Sequence, residues 1–363
     1  MRPSDVSKLL ASTIKAQLPV LLVGDPGVGK SDLVAQAAEK SGADLIISHP
    51  VVADPTDAKG LPWIAKDGES ATFLPFGEMA RALKARKLTI WFLDDLGQAS
   101  PAVQAGFMQL LLARRIDSHS LPECVTFVAA SNRRMKQTGV SGILEPVKSR
   151  FVTIVSVEPH IDDSCEWAIR RGRCSPSSIA FLRFRPELLH QFNPNQDLVN
   201  SPSPRTWDHA DKILRLALPP SVELAAVQGA VGEGPGTERL AFERIYRELP
   251  SLDAILVDPD SAQIPEAPAT LYAVSVGLAS RATEGNFGRV ARYAERLREH
   301  RCASHKGGLG EFAVLLVRDA VRRHNVEKMV NGKAMIINKL ASTAAFIELM
   351  SSEVGKLIAG EVG

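Results

Sequence analysis

The sequence predicts an α/β protein in which a parallel five-stranded sheet covered by helices is followed by an α-helical lid and a helical C-terminal extension. Three observations lead there. Five short apolar runs stand between residues 19 and 157, with helical periodicity between them. Each run is continuous rather than alternating, the form of a strand buried on both faces. Past residue 158 the pattern turns almost wholly helical. The expected divisions are 1–158 for the α/β core, 159–228 for the lid and 229–363 for the extension. Two or three domains suit a chain of 363 residues, at about 100–200 residues each.

Residues 4–16 form a short amphipathic helix, with Val6, Leu9, Leu10 and Ile14 at helical spacing. The first strand is expected at 19–24, then a helix at 32–40, then a second buried run at Leu45, Ile46 and Ile47. A third run at 89–94 leads to a helix at 101–115; the fourth lies at 125–130 and the fifth at 151–157. Strand and helix in repetition suit a parallel sheet, because parallel neighbours need crossovers between them. Further helices are expected at 161–171, 177–192, 206–218, 238–249, 269–282, 287–300, 310–323 and 338–357. Pro219, Pro220 and the stretch 229–236 are read as breaks. Trp63 and Trp167 are read as core or interface packing.

Composition excludes several classes. With 45% hydrophobic and 23% charged residues the chain is neither collagen-like, nor a disulfide scaffold, nor disordered throughout. No apolar run reaches the roughly 18 residues of a membrane span, so no membrane association is expected. The start, Met1, Arg2, Pro3, Ser4 and Asp5, lacks the basic-then-apolar form of a signal peptide. A cytoplasmic location is the expectation. Cys124, Cys165, Cys174 and Cys302 form no C-x-x-C pair and are read as reduced thiols. His300, His305 and His324 make no ligand pattern. A net charge of +2 does not by itself imply a nucleic-acid partner.

The sharpest motif follows the first strand. Gly24, Asp25, Pro26, Gly27, Val28, Gly29, Lys30 and Ser31 fit G-x-x-x-x-G-K-[ST] between a strand and a helix, the phosphate-binding loop of P-loop NTPases. Glycines let amide N–H groups approach phosphate oxygens. The helix start adds partial positive charge. Lys30 is expected to reach the β- and γ-phosphates of ATP, and the Ser31 hydroxyl to ligate Mg2+. A second motif ends the third strand. Asp94 is delivered to the sheet edge beside Ser31 as the partner of Mg2+, either directly or through a bound water. Asp95, next in line, is placed to polarise an attacking water.

These motifs, together with several further segments of the chain, resemble AAA+ ATPases, most closely the MoxR-like group. Residues 54–62 are similar to the segment before the family's acidic strand, and 94–101 with the helix 102–115 to that strand and its succeeding helix. Val128, Ala129, Ala130, Ser131, Asn132 and Arg133 match a sensor-1 strand. Residues 139–151 match the segment ending in Arg150 and Phe151, and 203–207 the sensor-2 helix start with Arg205. Residues 229–236 and 272–323 look like a C-terminal region of some phage and bacterial members.

The resemblance implies roles. Asn132 would hold the attacking water against Asp95; a turn-forming asparagine is the plainer reading. Arg150 would act as an arginine finger on the next subunit's ATP, with Lys148 as competitor and a surface ion pair as the plainer reading. Arg205 would contact the γ-phosphate in cis and couple lid angle to nucleotide state, or it simply opens a helix. Arg114 and Arg115 would line a subunit interface or end a solvated helix. Asp54 and Asp57 read as turn caps. Asp95 departs from the family's usual glutamate and makes slow hydrolysis an expectation. The resemblance also implies a homo-oligomer, a hexameric ring or a helical assembly, and a partner with a von Willebrand factor A (VWA) domain.

Three functions are compatible with these signals: a Mg2+-ATP-driven remodelling ring ATPase, a slowly hydrolysing nucleotide switch or assembly scaffold, and a nucleic-acid motor. The last draws on the basic stretch 281–333, where Arg289, Arg292, Arg296 and Arg298 lie near one side of a helix. A solvated helix face is the plainer reading of those arginines.

Overall fold

The computed structural model describes residues 1–65, 68–116, 119–133, 142–193, 199–301, 309–330 and 333–360. Cys302, His305 and residues 139–141 of the segment ending at Phe151 lie outside them. The chain divides into two compact units, Met1–Pro159 and His160–Gly363.

The first unit opens with α1 (Pro3–Lys15), β1 (Val20–Val23), α2 (Lys30–Ser41) and β2 (Asp44–Ser48). Then come α3 (Pro55–Lys59), β3 (Leu61–Ile64), β4 (Ala71–Leu74), α4 (Gly77–Leu83) and β5 (Thr89–Leu93). It closes with α5 (Pro101–Ala113), β6 (Arg115–Ile116), β7 (His119–Ser120), β8 (Val125–Ser131), α6 (Glu145–Lys148) and β9 (Thr153–Ser156). All five expected strands form one parallel sheet in the order β2-β5-β8-β1-β9. Successive residues of a strand face opposite sides of a sheet, and the core follows that rule. Leu21, Trp91 and Phe127 pack with α5 on one face; Leu22, Phe92 and Val128 pack with α1 and α2 on the other.

Burial follows strand position. Every residue of β5 and β8 is buried, as continuous apolar runs require. The two outer strands depart from the expectation of full burial. Ile47 on β2 and Ile154 on β9 are exposed, because each strand has a neighbour on one side only. Two antiparallel hairpins, β3–β4 and β6–β7, were not expected. Pro62 within β3 argues against a strand in sequence terms, and β6 and β7 have two residues each. Trp63 sits on the first hairpin and is 64% exposed, which corrects the core alternative of its reading. Asp54 and Asp57 form a capping box on α3, with Asp54 Oδ1 accepting from Thr56 N–H at 2.9 Å and Asp57 Oδ2 from Asp54 N–H at 2.7 Å. The helix expected at 101–115 stops at Ala113. Arg114 turns left-handed (φ 52°) and donates to the carbonyls of Pro122 (2.9 Å) and Val125 (2.7 Å).

The second unit contains α7 (Ile161–Arg171), α8 (Pro176–Phe184), α9 (Pro204–Leu214), α10 (Pro220–Val231), α11 (Glu233–Arg247) and α12 (Leu252–Val257). After these come α13 (Pro268–Arg281), α14 (Phe287–Glu299), α15 (Gly310–Arg323), β10 (Asn325–Val330), β11 (Lys333–Asn338), α16 (Ala344–Ser351) and α17 (Glu353–Gly360). The β10–β11 hairpin was not expected, and the helix expected at 338–357 begins only at Ala344 and is divided between α16 and α17. The break read at Pro219 and Pro220 is present: α9 ends at Leu214, and Pro220 is the first residue of α10, where its missing N–H costs nothing. Within 229–236 only Gly232 interrupts the helices. A Cβ on Gly236 would lie 2.8 Å from the Gln228 Cα, so α10 and α11 cross with backbones in contact. Phe181 of α8 packs against Trp207 and Phe242, and Arg183 forms a buried bidentate ion pair with Asp319 of α15. Trp167 packs on that core as expected.

The arginines of α14 are engaged within the unit. Arg289 donates to Leu256 O at 3.1 Å, Arg292 pairs with Asp260 at 2.6 Å, Arg296 holds the carbonyls of Pro259 and Ala262, and Arg298 pairs with Glu295 and Glu299. Arg292 and Arg296 fasten the loop after α12, while Arg289 and Arg292 remain exposed. Among the described residues, no helix is long and apolar enough to cross a membrane.

Candidate functional site

Parallel strands all end at one edge of their sheet, and four of these five deliver polar groups there. β1 ends in the glycine-rich loop, β5 in Asp94 and Asp95, β8 in Asn132 and Arg133, and β9 in Ser156. Pairing of Val23 with Ser131 on one side and with Ser156 on the other fixes their level. The loop adopts backbone angles that suit glycine. Gly27 and Gly29 have φ of 80° and 90°, and a Cβ on Gly29 would meet no protein atom within 4 Å. The N-terminus of α2 thus opens on a space kept clear by its own backbone.

Lys30 is the hub. Its side chain is 7% exposed. The ammonium donates to Gly24 O (2.9 Å), Asp25 O (3.0 Å) and Asn132 Oδ1 (2.8 Å), using the three donors such a group has. Asn132 turns its other end to Asp95, with Nδ2 donating to Oδ1 at 3.1 Å. Ser31 Oγ donates to Asp94 Oδ2 at 2.7 Å, and the other Asp94 oxygen accepts the Asp95 N–H at 3.1 Å. Residues far apart in sequence thereby form one connected polar network. Asp95 itself is left-handed, with φ 54° and ψ 35°. Aspartate and asparagine tolerate that conformation better than other side chains, which gives a local reason for aspartate here.

Of the expected members in the first unit, one stands apart from the network. Arg150 follows α6 half-buried, and among the described residues no hydrogen bond joins it to the network. Arg205 belongs to the second unit, exposed in the first turn of α9. One residue of the sensor-1 match was given no role in sequence. Arg133 donates to Ser156 Oγ at 2.7 Å and pairs with Asp25 at 3.8 Å and Glu158 at 3.5 Å, tying the loop to the end of β9. Its position directly after Asn132 was the available signal.

The parallel sheet with a G-x-x-x-x-G-K-S loop after β1, acids after β5 and a polar residue after β8 is the P-loop AAA+ fold. Residues 19–151 match the family model of the AAA domain, dynein-related subfamily. Arg205 is the one expected site residue outside that stretch. Among curated proteins, midasin from Giardia intestinalis is 29% identical over 152 residues, which cover 40% of this chain and 3% of midasin. The chain thus matches a small fraction of that relative's length. A Thermotoga maritima RuvB structure, described as a Holliday junction branch migration motor, overlays with a TM-score of 0.34 at 14% identity, covering 93% of each chain. NtrX from Brucella abortus in complex with ATP gives 0.39 at 14% identity, over 76% of this chain and 63% of that one. Overlays this loose carry no weight for activity.

Proposed function

We propose that the protein is a Mg2+-dependent ATPase of the MoxR-like AAA+ kind, acting as a homo-oligomeric ring on a partner protein that it remodels or helps assemble. The observation that carries the reading is the single network joining Lys30, Ser31, Asp94, Asp95 and Asn132. Lys30 binds the β- and γ-phosphates at the mouth of α2, whose N–H groups and dipole favour negative charge. Ser31 and Asp94 offer paired hard oxygens, the donor set that Mg2+ takes. When bound there, Mg2+ neutralises charge on the phosphate oxygens. Asp95 accepts the proton of the attacking water, and Asn132 fixes its carboxylate. Arg150 is assigned to the neighbouring subunit's nucleotide and Arg205 to the sensor-2 role. On this reading 1–158 is the nucleotide-binding core, 159–228 the lid and 229–363 the extension. A hexamer, a VWA-domain partner and a cytoplasmic location complete the proposal by resemblance.

Lys30→Ala tests the reading. ATP binding measured by calorimetry is expected to weaken about 100-fold or more, the scale of losing a buried charge-assisted contact of roughly 3 kcal/mol. Retained tight binding would overturn the phosphate-loop assignment. A second reading, a slowly hydrolysing switch, is favoured by the left-handed Asp95 and its shorter reach.

A further inference from the structure

A buried glutamine stands between the turn that follows the acidic strand and the arm that carries Arg150. Gln104 lies in the first turn of α5 and is 0% exposed, on a helix whose other buried side chains include Val103, Phe107 and Leu110. A buried amide needs all its polar atoms bonded, and this one spends them on backbone from two directions. Nε2 donates to Ala99 O at 3.0 Å and to Gly142 O at 3.0 Å; Oε1 accepts the Leu144 N–H at 3.0 Å. Ala99 closes the 3-10 turn that starts at Asp95. Leu144 precedes α6, and its carbonyl accepts from the N–H groups of Val147 (2.9 Å) and Lys148 (3.0 Å). Val147 and Phe151 are then buried in the core on either side of Arg150.

Packing α5 against the sheet calls for an apolar residue at this position, like its neighbours. An amide there has a different use. We propose that Gln104 is a positioning residue that locks the Arg150 arm to the Asp95 turn. The proposal rests on the reading of Arg150 as the group that completes a neighbouring subunit's site. Asp95 serves a subunit's own nucleotide and Arg150 the next one, so Gln104 joins the two within one subunit. Removing it leaves both elements in place but frees the arm to shift, and a shift of about 1 Å at a reacting group costs up to ~100-fold in rate.

Gln104→Met keeps length and volume and removes all three bonds. In the full chain, turnover at saturating ATP is expected to fall about tenfold or more, with affinity for a fluorescent ATP analogue within about twofold of the unaltered protein. Subunits carrying Lys30→Ala then separate the causes. They lack the phosphate-binding lysine but present an intact arm to their neighbours. Mixed with Gln104→Met subunits, they are expected to raise the turnover of each Gln104→Met subunit severalfold. Unchanged turnover in Gln104→Met overturns the proposal. So does a loss that Lys30→Ala subunits do not restore, which would place the defect in the subunit's own acid. Arg150→Ala, run alongside, keeps the two readings apart: full turnover in that variant refutes the finger, not the lock alone. Should Gln104→Met fail to fold, hydrogen exchange of the Leu144 amide in the unaltered protein decides. Slow exchange supports the lock, and exchange at open-loop rates overturns it.

Discussion

Asp95 carries the most information of any single residue in the site. Its left-handed backbone and its bond from Asn132 both suit a short carboxylate. A glutamate would sit less easily at that φ and would reach past Asn132. Asp95→Glu is therefore expected to lower turnover about tenfold at unchanged ATP affinity, and Asp95→Asn to lower it about 100-fold or more by removing the proton acceptor. Steady-state hydrolysis with parallel binding measurements checks both, and a faster Asp95→Glu enzyme would show that the site wants the longer acid. Much at this scale was legible in sequence. Lys30, Ser31, Asp94, Asp95 and Asn132 stand at fixed places relative to buried strands, so the strands alone nearly dictate their meeting. Gln104 was not legible as a site residue, and Arg133 only through its place after Asn132. Their bonds go to carbonyls, hydroxyls and carboxylates brought near by the fold, and no spacing rule marks such partners.

Elements read well where one cause dominates. The three inner strands are continuous apolar runs because both faces are covered, and a run of that kind has no other comfortable setting. The hairpins escaped notice because Pro62 argues against a strand and β6 and β7 are too short for a pattern. In the second unit the breaks read at Pro220 and within 229–236 are present, at the start of α10 and at Gly232, but the close backbone crossing at Gly236 was not legible, since sequence shows the residue and not whether a neighbour has come close. The same unit holds an acid-sensitive joint. Asp211 of α9 is buried, which pushes its carboxyl up. Hydrogen bonds from the Ser175 N–H (2.9 Å), Ser175 Oγ (2.5 Å) and Ser178 Oγ (2.6 Å), with the Arg215 guanidinium, outweigh that and hold it below the usual range. A lowered carboxyl stabilises the fold above its unfolded pKa and stops doing so as pH falls through the folded one. The second unit is thus expected to lose stability below about pH 4. Urea midpoints measured from pH 7 to pH 3 should fall less steeply at the acid end in Asp211→Asn than in the unaltered protein, and parallel curves would remove Asp211 as a cause.

For the whole molecule the decisive property is whether the site is complete in one chain. Five of its groups meet within the first unit, while Arg150 stands apart from them. Hydrolysis per subunit is expected to climb with protein concentration, as subunits associate and supply Arg150 to one another. Arg150→Ala should bind ATP with affinity within about twofold and lose roughly 1,000-fold in turnover, the low end of what such arginines contribute. A specific activity independent of concentration would place every catalytic group in one chain.

The β3–β4 hairpin has an optical consequence. Of the four tryptophans, Trp91 and Trp207 are buried at 1% and 3% exposure and Trp167 is partly covered, while Trp63 stands 64% exposed. Emission that acrylamide quenches will therefore come mainly from one indole at a known place, about 30 residues upstream of the acidic pair. The protein carries its own fluorophore, and whatever covers that hairpin will announce itself as a loss of quenching and a shift of the emission to the blue.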